Sequence, residues 1–219
     1  MERVTDAFVW PVRDPQWPGK VLIIGLILLI PIAGQINGLG WMLAALDRLR
    51  AGEERLPPAN FGYLSRGIRL FVVQLVYGAV LLLIVALFYL PAVLLFLHEG
   101  RGRADVGLIS FGLLLNLLAL SVGSLGGLAL NFLSPSIVLA TDSGGIAGGL
   151  RIRDVVRRAR ASITNTLIAG LMLIAASFIG SLGSIACVIG IVFTLAYSLA
   201  IQAWIIRSFE IGAGATSAA

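Results

Sequence analysis

The sequence predicts an all-α integral membrane protein, a small polytopic bundle of four to five spans. Three observations predict it. The 219 residues are 58% hydrophobic and only 12% charged, with a mean hydropathy of +0.99, whereas soluble domains carry about twice that charge. Long apolar runs cover residues 21–46, 68–97, 106–140 and 163–206, and no charged residue lies deep in any of them. The basic residues, fifteen arginines and Lys20, gather in the segments between runs. Too little polar surface remains to cover a soluble enzyme. Disorder is excluded by the apolar content, and nucleic-acid binding by the same greasiness despite a net charge of +5. One cysteine, Cys187, supports neither an intrachain disulfide nor a thiolate metal cluster.

Residues 1–20 form an N-terminal interfacial segment. It mixes Glu2, Asp6 and Asp14 with Arg3 and Arg13, unlike a secretory signal. Trp10 and Trp17, set among Pro11, Pro15 and Pro18, read as headgroup-level belt anchors.

Residues 21–46 form a broken segment. Pro31 removes a backbone donor and clashes with the preceding turn. Beyond it, Gly34, Gly38 and Gly40 accompany the amides of Gln35 and Asn37. The segment is either a kinked span or a re-entrant pair of half-helices that enters and leaves on one side. Arginine and lysine counting favours the second: it places fourteen basic residues on one side and two on the other, against eleven and five for a full span.

The next elements are spans at 68–97 and 106–140. Residues 149–162 then predict a basic amphipathic interfacial helix. Ile152, Val155, Val156, Ala159 and Ile163 share one face, and Arg151, Arg153, Arg157, Arg158 and Arg160 take the rest. Such a face binds anionic headgroups or an acidic partner. The final run exceeds one helix, so Gly180 to Ser184 divides it into spans 163–182 and 185–206, followed by a tail at 207–219. A faint internal echo links Met42-Leu-Ala-Ala-Leu-Asp47 to Ile137-Val-Leu-Ala-Thr-Asp142. Each ends an apolar segment in aspartate before an arginine-rich loop.

Candidate functional residues are few. Gly34 with Gly38, Gly123 with Gly127, and Gly180 with Ser184 have the spacing that lets helices pack closely. His98, beside Glu99, is the single histidine and the one candidate axial ligand for a haem or chlorophyll. No catalytic set, metal spacing or phosphate-cradling loop stands out. No cofactor is expected.

Phe8-Val-Trp-Pro11, Asp14-Pro15, Trp17, Lys20, Ile30-Pro31, Gly34 and Gly40 form an ordered pattern with Leu46 to Gly52, Leu56-Pro57, Phe61-Gly62 and Gly67. In that order and spacing the chain resembles an uncharacterised prokaryotic membrane family, domain of unknown function 4013. The resemblance is strongest over residues 8–78; Pro135, the 144–160 loop and Asn165 echo its second half. Where that family has an aromatic or acidic stretch after Leu-Pro, this chain has Pro58-Ala-Asn60. The resemblance implies a multi-span bundle in the plasma membrane of a prokaryote, and brings no activity or catalytic residue with it.

The expected function is that of a non-catalytic membrane protein that packs against or stabilises other membrane components, an accessory or assembly subunit. Loops 47–69 and 141–162 and the C-terminus are expected in the cytoplasm. One alternative is a transporter or channel for a neutral or amphiphilic solute, with Gln35 and Asn37 lining the path. Another is an accessory subunit of a pigment or redox complex, with His98 touching a cofactor.

Overall fold

The computed structural model describes residues 5–99, 105–183 and 187–217, and the described residues are helical throughout apart from turns and one loop. A short α1 (Asp6–Val9) and a 3-10 turn (Trp10–Arg13) lead into α2 (Trp17–Leu28) and α3 (Ala33–Arg50). Then come α4 (Leu64–Glu99), α5 (Val106–Gly149), α6 (Ile152–Ala161), α7 (Ile163–Leu182) and α8 (Cys187–Ser217). Four helices are long and apolar enough to cross a membrane, at Leu64–Leu97, Val106–Gly149, Ile163–Ser181 and Gly190–Gly212. The protein is therefore a helical, polytopic membrane protein. The chain divides into two compact units, Met1–Val73 with Asn131–Ala219, and Gln74–Leu130.

The first unit is organised around α8. Ala196, Ala200, Ala203, Ile205, Ile206 and Phe209 are buried, and α2, α3 and α7 all pack on this helix. A helix apolar on all sides belongs in an interior, and its alanines let neighbouring backbones approach. At Gly25 of α2, an added Cβ would collide with the Val192 carbonyl of α8. The crossing of α3 with the start of α4 is equally tight: a Cβ on Gly67 would lie 2.8 Å from the Gly40 nitrogen.

The break expected near Pro31 falls at residues 29–32, between α2 and α3. Pro31 ends helix α2 because the residue before a proline disfavours helical geometry. Ile32 then adopts φ +63°, ψ −64°, and the Ala33 N–H donates to the Pro31 carbonyl at 2.6 Å. This is a γ-turn of the rare, strained hand, and the strain falls on a β-branched residue that is 65% exposed. With twelve residues, α2 is about 18 Å long at 1.5 Å per residue, short of a hydrocarbon core of about 30 Å.

The two ends of this helical hairpin meet at one carbonyl. Lys20 Nζ donates to Leu56 O at 2.8 Å, and Arg48 donates to the same oxygen at 3.1 Å. Arg13 also pairs with Glu54 at 2.7 Å. The N-terminal segment and the loop after α3 therefore lie at one end of the hairpin, and Leu29, Ile30 and Ile32 are exposed at the other.

Trp10 departs from the belt reading. It is buried, and its indole N–H donates to the Ala200 carbonyl of α8 at 3.2 Å. Trp17 stays half-buried, edge-on to Tyr197. The proline-rich segment folds Trp10 back onto the bundle, where a buried indole needs an acceptor and finds one.

The second unit is a two-helix arrangement. Leu81 faces Gly126, Val85 faces Gly123 and Phe96 faces Gly112, an antiparallel register between α4 and α5. The spans reach further than the apolar runs suggested, since α4 begins at Leu64 and α5 continues to Gly149, interrupted at Gly145 where φ is +62°.

Two substitutions test these constraints by thermal unfolding in detergent. Ile32→Gly relieves the γ-turn and raises stability by about 1 kcal/mol. Gly67→Ala forces α3 and α4 apart and lowers it by about 1–3 kcal/mol.

Candidate functional site

Polar chemistry in the first unit concentrates where α3 ends and α4 begins. Asp14 is 2% exposed, and a carboxylate so buried needs donors on both oxygens. It has them: Gln16 N–H at 2.9 Å on one, Leu56 N–H at 3.0 Å and Lys20 Nζ at 2.7 Å on the other. Burial alone would raise its pKa, but the Lys20 hydrogen bond and the two amides outweigh it and hold the carboxyl below its usual range. The Trp41 indole donates to the adjoining Pro57 carbonyl at 3.4 Å. Pieces of sequence far apart, Asp14, Lys20, Trp41, Arg48 and Leu56-Pro57, thus form one knot.

A second cluster begins two residues further along α3. Arg50 is bidentate to Glu210 at 3.0 and 3.0 Å, and reaches Asp142 at 2.7 Å and Asp47 at 3.2 Å. Arg66 bonds Asp47 and, at 3.0 Å, the other oxygen of Asp142. Arg207 completes the set on Glu210 at 2.9 Å. Arg50, Arg66 and Arg207 therefore balance Asp47, Asp142 and Glu210. The Arg66 hydrogen bond, helped by charge from Arg66 and Arg50, holds the Asp47 carboxyl below its usual value against burial. Burial disfavours charge on Arg50, but Glu210 and Asp142 more than compensate and keep it protonated. The two aspartates of the internal echo, Asp47 and Asp142, thus share Arg50 and Arg66.

Cavities flank this cluster. One of about 320 Å³ is lined by Leu43, Ser65, Arg66, Arg69, Leu70, Thr141 and Asp142. Another of about 320 Å³ lies beside Arg50, Leu139, Ser143, Arg158, Ala161 and Glu210.

Helix α6 has the amphipathic pattern, but the middle of its apolar stripe faces protein. Val155 and Ala159 are buried, α6 packs on α7 and α8, and Thr166 donates to the Ala159 carbonyl at 2.7 Å. Ile152 and Ile163 remain exposed at 62% and 61%. Arg151, Arg153, Arg158 and Arg160 are exposed with no ion-pair partner among the described residues, while Arg157 pairs with Asp154 at 2.7 Å.

The other singled-out residues fall in different places. Asn37 is buried, and both ends of its amide serve the loop before α4, donating to Asn60 O at 3.0 Å and accepting from Tyr63 N at 3.1 Å. Gln35 is exposed, so the two amides do not line a common path. A Cβ at Gly38 would meet the Leu28 and Leu199 side chains, and one at Gly34 the Ile27 carbonyl of its own hairpin. Gly180 faces Ser198 and Gly123 faces Val85, whereas Gly127 looks onto open space and its neighbour Gly126 makes the close contact. The His98 side chain and Ser184 lie outside the described residues.

A family model described as "Protein of unknown function (DUF4013)" matches residues 23–189. The chain belongs to the DUF4013 family. The match starts after Asp14 and Lys20, so it contains the α3–α4 half of the knot and, in the ion cluster, Asp47, Arg50, Arg66 and Asp142. No curated protein and no solved structure matches this DUF4013 chain. Sequence reasoning saw the acidic echo and the basic loops but not the ion cluster, because nothing in the spacing brings Glu210 to Arg50.

Acid should unfold the protein in part through the lowered carboxyls of Asp14 and Asp47. Their folded values lie below the usual unfolded value of about 3.9, so their contribution is complete at neutral pH and is lost as pH falls below about 4. Thermal midpoints in detergent should be flat from neutral pH to about pH 5 and then drop. Asp14→Asn should cost about 2 kcal/mol at neutral pH and blunt that drop.

Proposed function

We propose that this protein is a non-catalytic, multi-span component of a prokaryotic plasma membrane that packs against and stabilises other membrane components. The observation that carries the reading is how little of α4 and α5 the chain itself covers. Only 6% of the apolar window in α4 and 11% of that in α5 is buried, against 39% in α7 and 50% in α8. Such helices are sheathed by lipid or by another chain. Gly78 and Gly127 face open space on them, and small residues are where a second helix backbone comes closest. The charged groups at the α3–α4 junction support the same reading, since they neutralise one another rather than standing ready as acid, base or nucleophile.

In this reading α2 and α3 form a re-entrant hairpin. Its ends are held at the charged face by Leu56 O, and its apolar tip, Leu29 to Ile32, points into the acyl chains. The N-terminus then joins loops 47–69 and 141–162 and the C-terminus in the cytoplasm. The Arg13–Glu54 pair supports this, as does the charge split. The arginines of α6 meet anionic headgroups with Ile152 and Ile163 dipping between them, and acidic partner subunits meet the same face.

Extraction in mild detergent followed by native mass measurement tests the main claim. A particle heavier than one chain, carrying a second protein in fixed ratio, is expected; a strict monomer with no companion overturns the reading. Sidedness is tested separately in a Cys187→Ser background with membrane-impermeant maleimide. Val12→Cys and Glu53→Cys should both label only after lysis, and labelling of Val12→Cys alone in intact cells would establish a full first span instead.

A further inference from the structure

We propose that the cavity at the start of α4 is a binding site for the phosphate of an anionic phospholipid. Its wall carries Ser65, Arg66 and Arg69 from the first two turns of α4, with Thr141 and Asp142 from α5 and the apolar Leu43 and Leu70. Arg69 stands one helical turn from both Arg66 (i+3) and Ser65 (i+4). The volume of about 320 Å³ is at the small end of the range for ligand sites.

Charge decides what fits. Asp142 would repel an anion, but its two oxygens are already taken by Arg50 at 2.7 Å and Arg66 at 3.0 Å. The cluster behind the cavity is balanced, three arginines on three carboxylates. Arg69 is the cation left over. It is exposed and has no ion-pair partner among the described residues, and the Ser65 hydroxyl is likewise without a hydrogen-bond partner among them. Thr141 donates its hydroxyl proton to Ile137 O at 2.7 Å, so the free donors are those of Arg69 and Ser65. Both project from the N-terminal turns of a 36-residue helix, whose unpaired N–H groups and dipole favour an anion at this end. One arginine, one hydroxyl and a helix N-terminus match a singly charged phosphodiester.

The lipid, rather than free phosphate, follows from what lies next to the cavity. The candidate membrane span of α4 begins at Leu64, and Ile68, beside Arg69 in the same turn, is 41% exposed. A headgroup held by Arg69 leaves its acyl chains against the uncovered side of α4. The inference rests on the membrane placement of α4 and not on any protein partner.

The test uses the full chain, delipidated in a maltoside detergent and titrated with short-chain phosphatidylglycerol, with retained lipid counted by native mass spectrometry. Saturable retention of one phosphatidylglycerol is expected, weakened about tenfold by Arg69→Gln, less by Arg69→Lys, and unchanged by Arg153→Gln on α6. Equal retention by Arg69→Gln and the unaltered chain overturns the proposal, as does equal loss on Arg153→Gln, which would mean a diffuse basic surface. Inorganic phosphate is titrated in parallel. Displacement of the lipid by equal concentrations of phosphate overturns the lipid assignment. Because the readout is lipid on a single chain, it stands or falls independently of whether a second protein co-purifies.

Discussion

Arg50 sets the terms for the rest of the molecule. A guanidinium does not lose its proton at any physiological pH, and this one sits at the end of an apolar helix with only 29% of its side chain exposed. Withdrawing a charge that far from water is costly unless carboxylates come to it. Asp47 from the same helix, Asp142 from α5 and Glu210 from α8 do so. Three elements distant in sequence are thereby held at one point, and Arg66 ties in the start of α4 through the same two aspartates. The partners are only partly buried, so each pair contributes modestly alone. The value of the arrangement lies in its being a network with no spare acid.

Next to it, the Asp14 knot solves a different problem. It fixes both ends of the hairpin formed by α2 and α3 at one strip of backbone. Leu56 provides a carbonyl that Lys20 and Arg48 share and an N–H that Asp14 accepts. The following Pro57 and Pro58 keep this strip of backbone out of any helix, so its polar groups stay available to side chains. That is why the loop between α3 and α4 is not a mere connection.

The class of fold was legible because lipid demands long uncharged runs, and the break at Pro31 was legible because proline chemistry is local. The stripe of α6 was legible too, since its period is helical. What its apolar side touches was not: periodicity distinguishes wet from dry, and both lipid and protein are dry. Val155 and Ala159 went to protein. Trp10 misled for a related reason, because an indole suits an interface and a buried acceptor equally. Asn37 resembled a path-lining amide, and only tertiary structure reveals that the loop before α4 uses both of its ends. Asp47 and Asp142 stood out as an echo, but their shared arginines depend on a closure of nearly a hundred residues.

The bond from Trp10 to Ala200 joins positions 190 residues apart, and α2 and α3 find their principal neighbour in α8. A ribosome delivers the hairpin before α8. During synthesis, then, Ile24, Leu28 and Trp41 emerge long before the surface that will cover them exists. The earlier segments must wait in the bilayer, shielded by lipid or by insertion machinery, and the first unit closes only when α8 arrives. Loss of α8 would leave α2 and α3 without the helix they pack on.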